Sequence, residues 1–436
     1  MRRFGLTIIT MLVPTALAAQ VGADSVARPI SLVEAVKLAQ RNSPTTVQAA
    51  GTTRSNAAAV RSAYMSFIPT LSFSTGASKQ SGDRIGPQGT VVPYVVSQYQ
   101  YSSGLNMNVD IFDAGNRLFK LRAAKANVDA AEANETLQQY NVSLNVKQQY
   151  YAVLAARESE SAAKSQLDQA TEQLKTASAK VAASAATKSD SLRAVIQVGN
   201  AQLALIQARN NLNIANASLT RLVATPFVVT ATPGDTTESI ALAADSVEIV
   251  RLATRGPAVV QSEEAYAAAR ANVRGALTPY LPTISARFNR GGAGLDKTFG
   301  WGSDQYAYSQ TLSFSLNFPF FNQGTREEQI VRTRVAEDVA QAQLRDTRLL
   351  AQQQLTTYLS AFRSAEQRVQ IQLASVAAAE EDLRVQQRRY SLGASTFLDV
   401  LNSQVTLNQA RAALIQARFD ARVAKAQIET LTGKDM

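Results

Sequence analysis

The stretch QYQYSSGLNMNVDI at residues 98–111 sets Tyr99, Tyr101, Ser103, Leu105, Met107, Val109 and Ile111 at odd positions and Gln98, Gln100, Ser102, Gly104, Asn106, Asn108 and Asp110 at even ones. Successive side chains of a strand point to opposite faces, so this period of two predicts a long strand with one apolar and one polar face. Residues 306–318 repeat it, with Tyr306, Tyr308, Gln310, Leu312, Phe314, Leu316 and Phe318 opposed to Ala307, Ser309, Thr311, Ser313, Ser315 and Asn317. Shorter alternating runs precede each: Leu71 and Phe73 in one case, Ile284, Ala286 and Phe288 in the other, where Arg287 falls on the polar face and is expected to line a lumen. Each pair predicts a hairpin around a Gly-rich loop, at about 76–96 and 291–305. A soluble sheet with one face on a core alternates in the same way. Membrane-spanning strands, however, need roughly 9–11 residues, a lipid face, a lumen face and aromatic girdles, and both long strands carry Tyr at one end and Phe or Ile at the other.

The chain is a tandem duplication. Ala204-Leu205-Ile206-Gln207-Ala208-Arg209 recurs unchanged as Ala413-Leu414-Ile415-Gln416-Ala417-Arg418, and the same offset carries Phe112 onto Phe321, Gly115 onto Gly324, Arg117 onto Arg326 and Asp190 onto Asp399. In each half the hairpin follows a moderate helix, opened by Ser31 with Glu34 and by Asp245 with Glu248. After the hairpin no Gly or Pro occurs between Gly115 and Gly199, nor between Gly324 and Gly393. Leu355, Phe362, Val369, Val376, Leu383 and Tyr390 lie seven apart, matched by Val146, Val153, Leu167, Leu174 and Val181, with Glu160 the polar intrusion. A strict seven-residue apolar period implies long helices packed as left-handed coiled coils.

The expected organisation is a signal peptide at 1–23, a first repeat at 24–223, a linker or small subdomain at 224–244, and a second repeat at 245–436. The first repeat holds a hairpin at about 67–111 and helices at about 116–183 and 189–223; the second holds a hairpin at about 280–320 and helices at about 325–391 and 396–431. The leader reading rests on Arg2 and Arg3, an apolar run from Leu6 to Ala19 too short to span a bilayer, and small residues at Ala16, Ala18 and Ala23.

Composition excludes several chemistries. With no His and no Cys among 436 residues, a zinc finger, a thiol nucleophile, a Ser–His dyad and a disulfide framework are all impossible, and nothing implies a metal or cofactor. No constellation supports an enzyme. The formal charge of +10 is spread over helices where basic residues alternate with Glu and Gln, which argues against a nucleic-acid partner. Lys79, Arg84, Arg290 and Lys297 lie near the hairpin loops, where solvated surface charge and pairing with lipid phosphate are both open readings. Four strands cannot close a barrel and open edges are not tolerated in lipid, so the strands must be shared between chains: eight in a dimer, twelve in a roomier trimer, which the polar face favours. A secreted coiled-coil filament, without channel activity, is the structural alternative.

The residues resemble the TolC-like outer-membrane efflux protein family. The marks are Ser31-Leu32-Val33-Glu34-Ala35 with Asn42 and Pro44, Phe67-Ile68-Pro69, Phe112-Asp113-Ala114-Gly115, and Arg389-Tyr390-Ser391-Leu392-Gly393-Ala394-Ser395-Thr396-Phe397-Leu398-Asp399. The resemblance implies an α+β membrane protein, a tandem-duplicated protomer with four transmembrane strands and very long helices. Three copies would form a homotrimer with a shared twelve-stranded barrel and a periplasmic α-helical barrel. It also implies docking to a periplasmic adaptor and an inner-membrane transporter, for efflux or type I secretion across the outer-membrane lipid. By position, Asp399 and Asn402 match the periplasmic gate, and Asp190 and Tyr390 match inter-helix links near it; Ser395 stands where some members are basic. Capping of the return helices is the competing account of both aspartates, and the gate or gate-link role is the one favoured. The short turns at Ala183, Ser184 and Ala185 and at Leu392, Gly393, Ala394 and Ser395 are the expected adaptor contacts, because small exposed residues admit a partner helix tip.

Overall fold

A computed structural model of the chain describes residues 27–85, 87, 89–95, 98–233, 246–299 and 306–434. The expected leader and Asp245 lie outside them. The first half runs β1 (Arg28–Ile30), α1 (Leu32–Asn42), α2 (Pro44–Met65), β2 (Thr70–Ser78), β3 (Ser81–Ile85), β4 (Val91–Val95), β5 (Tyr99–Phe112), α3 (Asn116–Ala182) and α4 (Lys188–Val223). The second runs β6 (Val229–Ala231), α5 (Ser246–Ala253), α6 (Pro257–Ala276), β7 (Thr283–Asp296), β8 (Tyr306–Asn317), α7 (Thr325–Ser391) and α8 (Phe397–Thr432).

The sheet is β2-β5-β7-β8, antiparallel throughout, with β2 and β8 at its edges. Its register carries the sequence pattern across all four strands. Leu71, Met107, Phe288 and Leu312 make one apolar rung, while Thr70, Asn108, Arg287 and Ser313 make a polar rung on the other face. Two expectations need correction. The glycines at 291–294 belong to β7 rather than to a loop, because Gly292 lies beneath the rings of Tyr306 and Tyr308, where a Cβ would come within 2.6 Å of Tyr306. The first loop is also not irregular, since β3 and β4 pair as a hairpin of their own.

Each strand-to-helix elbow needs the left-handed backbone: Ala114 and Gly115 have φ of 57° and 79°, Gln323 and Gly324 of 59° and 78°. Glycine adopts this region freely and other residues do so at a cost. Left-handed residues also recur at Ser184 and Gly393, and at Ala224 and Gly433, so the duplicated offset is preserved in backbone conformation even where the side chain changed. The duplicated arginines act alike. Arg117 donates to the Asp110 carbonyl at 2.7 Å, and Arg326 to the Pro319 carbonyl at 3.0 Å. Asp113 accepts from the Arg117 backbone N–H and Nε and from the Gly115 N–H; burial opposes its charge, yet these donors hold its pKa below the usual carboxylate range.

Helices α3 and α7 each contain 67 residues, about 100 Å at the usual rise. The seven-residue stripe is their packed seam: Leu355, Phe362, Val369 and Leu383 are buried, as are Val146 and Val153, whereas Glu160 pairs with Arg209 across to α4. Hairpin α3/α4 meets hairpin α7/α8 along α3 and α8. Midway along lies the main core of Ile30, Ala35, Ala39, Val146, Tyr150, Leu154, Leu219 and Val229. The segment expected as a linker contributes to it, since β6 is wholly buried and pairs in parallel with β1. Tyr150 stitches that pair, donating to the Ile30 carbonyl and accepting from the Thr232 N–H, both at 3.0 Å. Lys147 and Glu429 form a largely buried ion pair at 2.6 Å that fixes the end of α8 to α3.

Gly256, before α6, is a close-approach glycine: a Cβ there would stand 2.0 Å from the Leu431 carbonyl oxygen. Gly256→Ala is expected to cost about 1–3 kcal/mol by forcing α8 aside. By contrast Gly199, inside α4 with nothing within 4 Å of an added Cβ, should gain about 0.5–1 kcal/mol on change to Ala. Thermal unfolding of the two variants in detergent, followed by circular dichroism at 222 nm, checks the opposite signs.

Candidate functional site: the helical tip

Both long hairpins turn at the end remote from the sheet. The turns share one construction. Ala185 N–H donates to the Lys180 carbonyl and Ala394 N–H to the Arg389 carbonyl, each at 2.8 Å, closing the helix end around a left-handed residue. That residue is Gly393 in one turn and Ser184 in the other. Ala183, Ser184, Ala185, Leu392, Gly393 and Ala394 are exposed, Leu392 to 78%, and Ser395 donates to the Gln386 carbonyl.

Asp190 and Asp399 are both capping residues. Thr187 Oγ1 accepts from the Asp190 N–H while Asp190 Oδ2 accepts from the Thr187 N–H and hydroxyl; Thr396 and Asp399 reproduce every one of these bonds. The Thr396 backbone and hydroxyl donors, with Arg389 as a further cation, hold the Asp399 pKa below the usual carboxylate range. A lowered folded pKa means that the cap's contribution is present above the unfolded value and is lost as pH falls through the folded one. Asn402 is exposed on α8, one turn beyond Asp399. Arg287 is far from this tip, exposed on the polar face of the sheet beside Asn108 and Ser313.

Tyr390 joins the two hairpins. Its ring packs against Phe397, 5.7 Å between centroids, in a cluster with Ala177 and Ala194 of the other hairpin. Its hydroxyl is buried without a hydrogen-bond partner, and its pKa is raised by burial and by the Asp190 charge. The hydroxyl therefore lies in the field of Asp190 without bonding to it. The polar link is made instead by Lys180, which the sequence did not single out. Its Nζ donates to the Tyr390 and Ser391 carbonyls and sits 4.1 Å from the Tyr390 ring centroid. A second link lies deeper, where buried Gln404 donates to Gln169 at 2.9 Å and accepts from Gln173 at 3.4 Å. The signal for Lys180 was a broken symmetry: its duplicate, Arg389, bonds within its own turn to Ala394. Beside these links is a cavity of about 470 Å³ bordered by Asp168, Glu172, Tyr390 and Phe397. Among the described residues no group of carboxylates converges as a metal site would require.

Lys180→Met should free the 390–396 turn by about 1–2 kcal/mol, because two carbonyls and one ring face lose a cation. Amide exchange at Leu392, Gly393 and Ala394 is expected to accelerate while the symmetry-related amides of 183–185 are less affected. Equal acceleration of both turns would contradict a one-sided link.

The profile of the outer membrane efflux protein family matches residues 35–225 and 249–434. The chain is similar to the probable efflux pump outer membrane protein TtgC of Pseudomonas putida, 27% identical over 45% of this chain. That match covers 41% of the relative, so the chain spans about two fifths of it. The outer membrane efflux protein BepC of Brucella suis is 24% identical over 92% of this chain and 84% of its own length. The solved outer membrane protein VceC of Vibrio cholerae superposes with a TM-score of 0.73 at 17% identity, over 92% of this chain and 96% of that one. Matched by the profile through both of its repeats, the chain belongs to the outer membrane efflux protein family.

Proposed function

We propose that three copies of this chain form a passive outer-membrane conduit, the outer component of a tripartite efflux or type I secretion system. A periplasmic adaptor and an inner-membrane transporter would deliver small molecules or proteins to its helical end. The observation that carries this is the open four-stranded sheet, apolar on one face and polar on the other, continuous through two short elbows with helices about 100 Å long. Among the described residues no helix is long and apolar enough to cross a membrane. Ser72, Asn106, Asn289 and Thr311 form a continuous polar rung, which fits a water-filled lumen when the ring is closed.

At the tip, three copies of Asp399, with Asn402 a turn further on and Asp190 on the neighbouring hairpin, would ring the tunnel mouth with carboxylates. Such a ring attracts cations. Lys180 and the Tyr390 packing would hold the two hairpins of each copy together, and the exposed turns 183–185 and 392–395 would receive the adaptor.

Purified protein should run as a heat-modifiable trimer and conduct in planar bilayers with cation preference. Asp399→Asn retains an oxygen able to accept the Thr396 N–H while removing charge, so it should lower cation preference with little change in folding. Asp399→Ala removes both. A soluble, non-conducting monomer would sink the conduit and leave the filament reading, and an unaltered selectivity in Asp399→Asn would leave that aspartate as a cap alone.

A further inference from the structure

The apolar face of the sheet changes character toward the hairpin tips. Reading across the strands, Leu71, Met107, Phe288 and Leu312 are followed toward the hairpin tips by Phe73, Leu105, Arg290 and Gln310. Arg290 and Gln310 are thus directly opposed at the rung where Leu, Phe and Met side chains give way to Thr75, Ser103, Gly292 and Tyr308. Arg290 is exposed, and among the described residues no carboxylate lies within ion-pair distance of it. Its guanidinium lies 5.7 Å from the ring centroid of Tyr308, one rung nearer the tips, and Tyr308 in turn packs on Tyr306 at 5.4 Å.

The depth of this rung follows from strand geometry. At about 3.4 Å per residue, the path from Phe318 back to Tyr308 is roughly 34 Å. At a tilt of about 40° it spans about 25 Å of height, the usual apolar band of a membrane barrel. Phe318 and Tyr308 therefore mark the two rims. Arg290 is rooted just inside the rim remote from the helices and reaches outward over Tyr308, as long cationic side chains do at an interface. A cation within an apolar belt is destabilising at mid-depth and nearly neutral at the rim. An anion at the rim would favour it outright. Guanidinium, the Gln310 amide and the Tyr308 hydroxyl are hydrogen-bond donors of the kind that phosphate oxygens accept, on paired and adjacent rungs.

We propose that Arg290, with Gln310 and Tyr308, binds the phosphate of a lipid headgroup in the leaflet remote from the helical tunnel. The proposal rests on the sheet being membrane-spanning. Lys79, placed over the Tyr99 ring at 5.2 Å but beyond the end of β2, is a nearby cation of the same sign without the opposed amide. It serves as the internal control.

The test is native mass spectrometry of the detergent-purified channel titrated with phosphatidic acid or with diacylglycerol of the same acyl chains. The intact protein should retain phosphatidic acid at roughly fivefold lower concentration than diacylglycerol, the increment expected of one interfacial cation. Arg290→Gln should abolish that preference, Arg290→Lys should keep part of it, and Lys79→Gln should keep most. Inorganic phosphate in millimolar excess should not displace the lipid. Absence of preference in the intact protein, its persistence in Arg290→Gln, an equal loss in Lys79→Gln, or displacement by inorganic phosphate would each overturn the proposal. Conductance of the same preparations reports separately on the conduit, so a conducting channel without lipid preference refutes only the lipid site.

Discussion

Backbone hydrogen bonding at the two edges of one sheet governs the rest of this molecule. Among the described residues β2 and β8 each have a partner on one side only. In water such edges are tolerable; in hydrocarbon each unmet N–H or carbonyl is costly, so the sheet is stable there only when closed by further copies. Closure then dictates what lies below. Helices leaving a ring of strands form a ring themselves, and their coiled-coil seams determine how closely its members approach.

The elbows reconcile two geometries. A tilted strand must become a helix running nearly along the axis within three residues in the first half and seven in the second, and the chain does this with paired left-handed residues and an arginine braced on carbonyls near the strand end. That both halves use the same device at the same offset, although Asp113 is replaced by Asn322, shows that the backbone path is the retained quantity. The carboxylate of Asp113 reinforces one elbow without being required at the other.

Most of this architecture was legible in the sequence because its signals are periodic. Alternation over 98–111 and 306–318 gave β5 and β8 and their faces, and the stripe from Leu355 to Tyr390 gave the helical seam, whereas β7, expected as a shorter partner, is as long as β5. What escaped was non-periodic. The glycines of β7 look like loop in one dimension and become strand only because two tyrosines from β8 cover them. β6 is three residues long and is specified by Tyr150 and Arg157 from a distant helix, where Arg157 donates to the Ala231 carbonyl at 2.6 Å. At the tip, the capping role of Asp190 and Asp399 was readable from their position near helix starts. Lys180 was hidden because its bonds go to backbone carbonyls of the other half, which carry no residue signature.

The equality of the two halves has a consequence for how such a protein can change over evolutionary time. α3 and α7 are each 67 residues and α4 and α8 each 36. An insertion in one half alone would push its turn past the other, shearing Lys180 from Tyr390. An insertion that is not a whole heptad would rotate the seam out of register. Tunnel length can therefore drift only by matched events in four helices at once, in steps of about 10 Å. The reach of this chain across a compartment is in effect quantised, and a lineage whose envelope widened would face a jump rather than a slope.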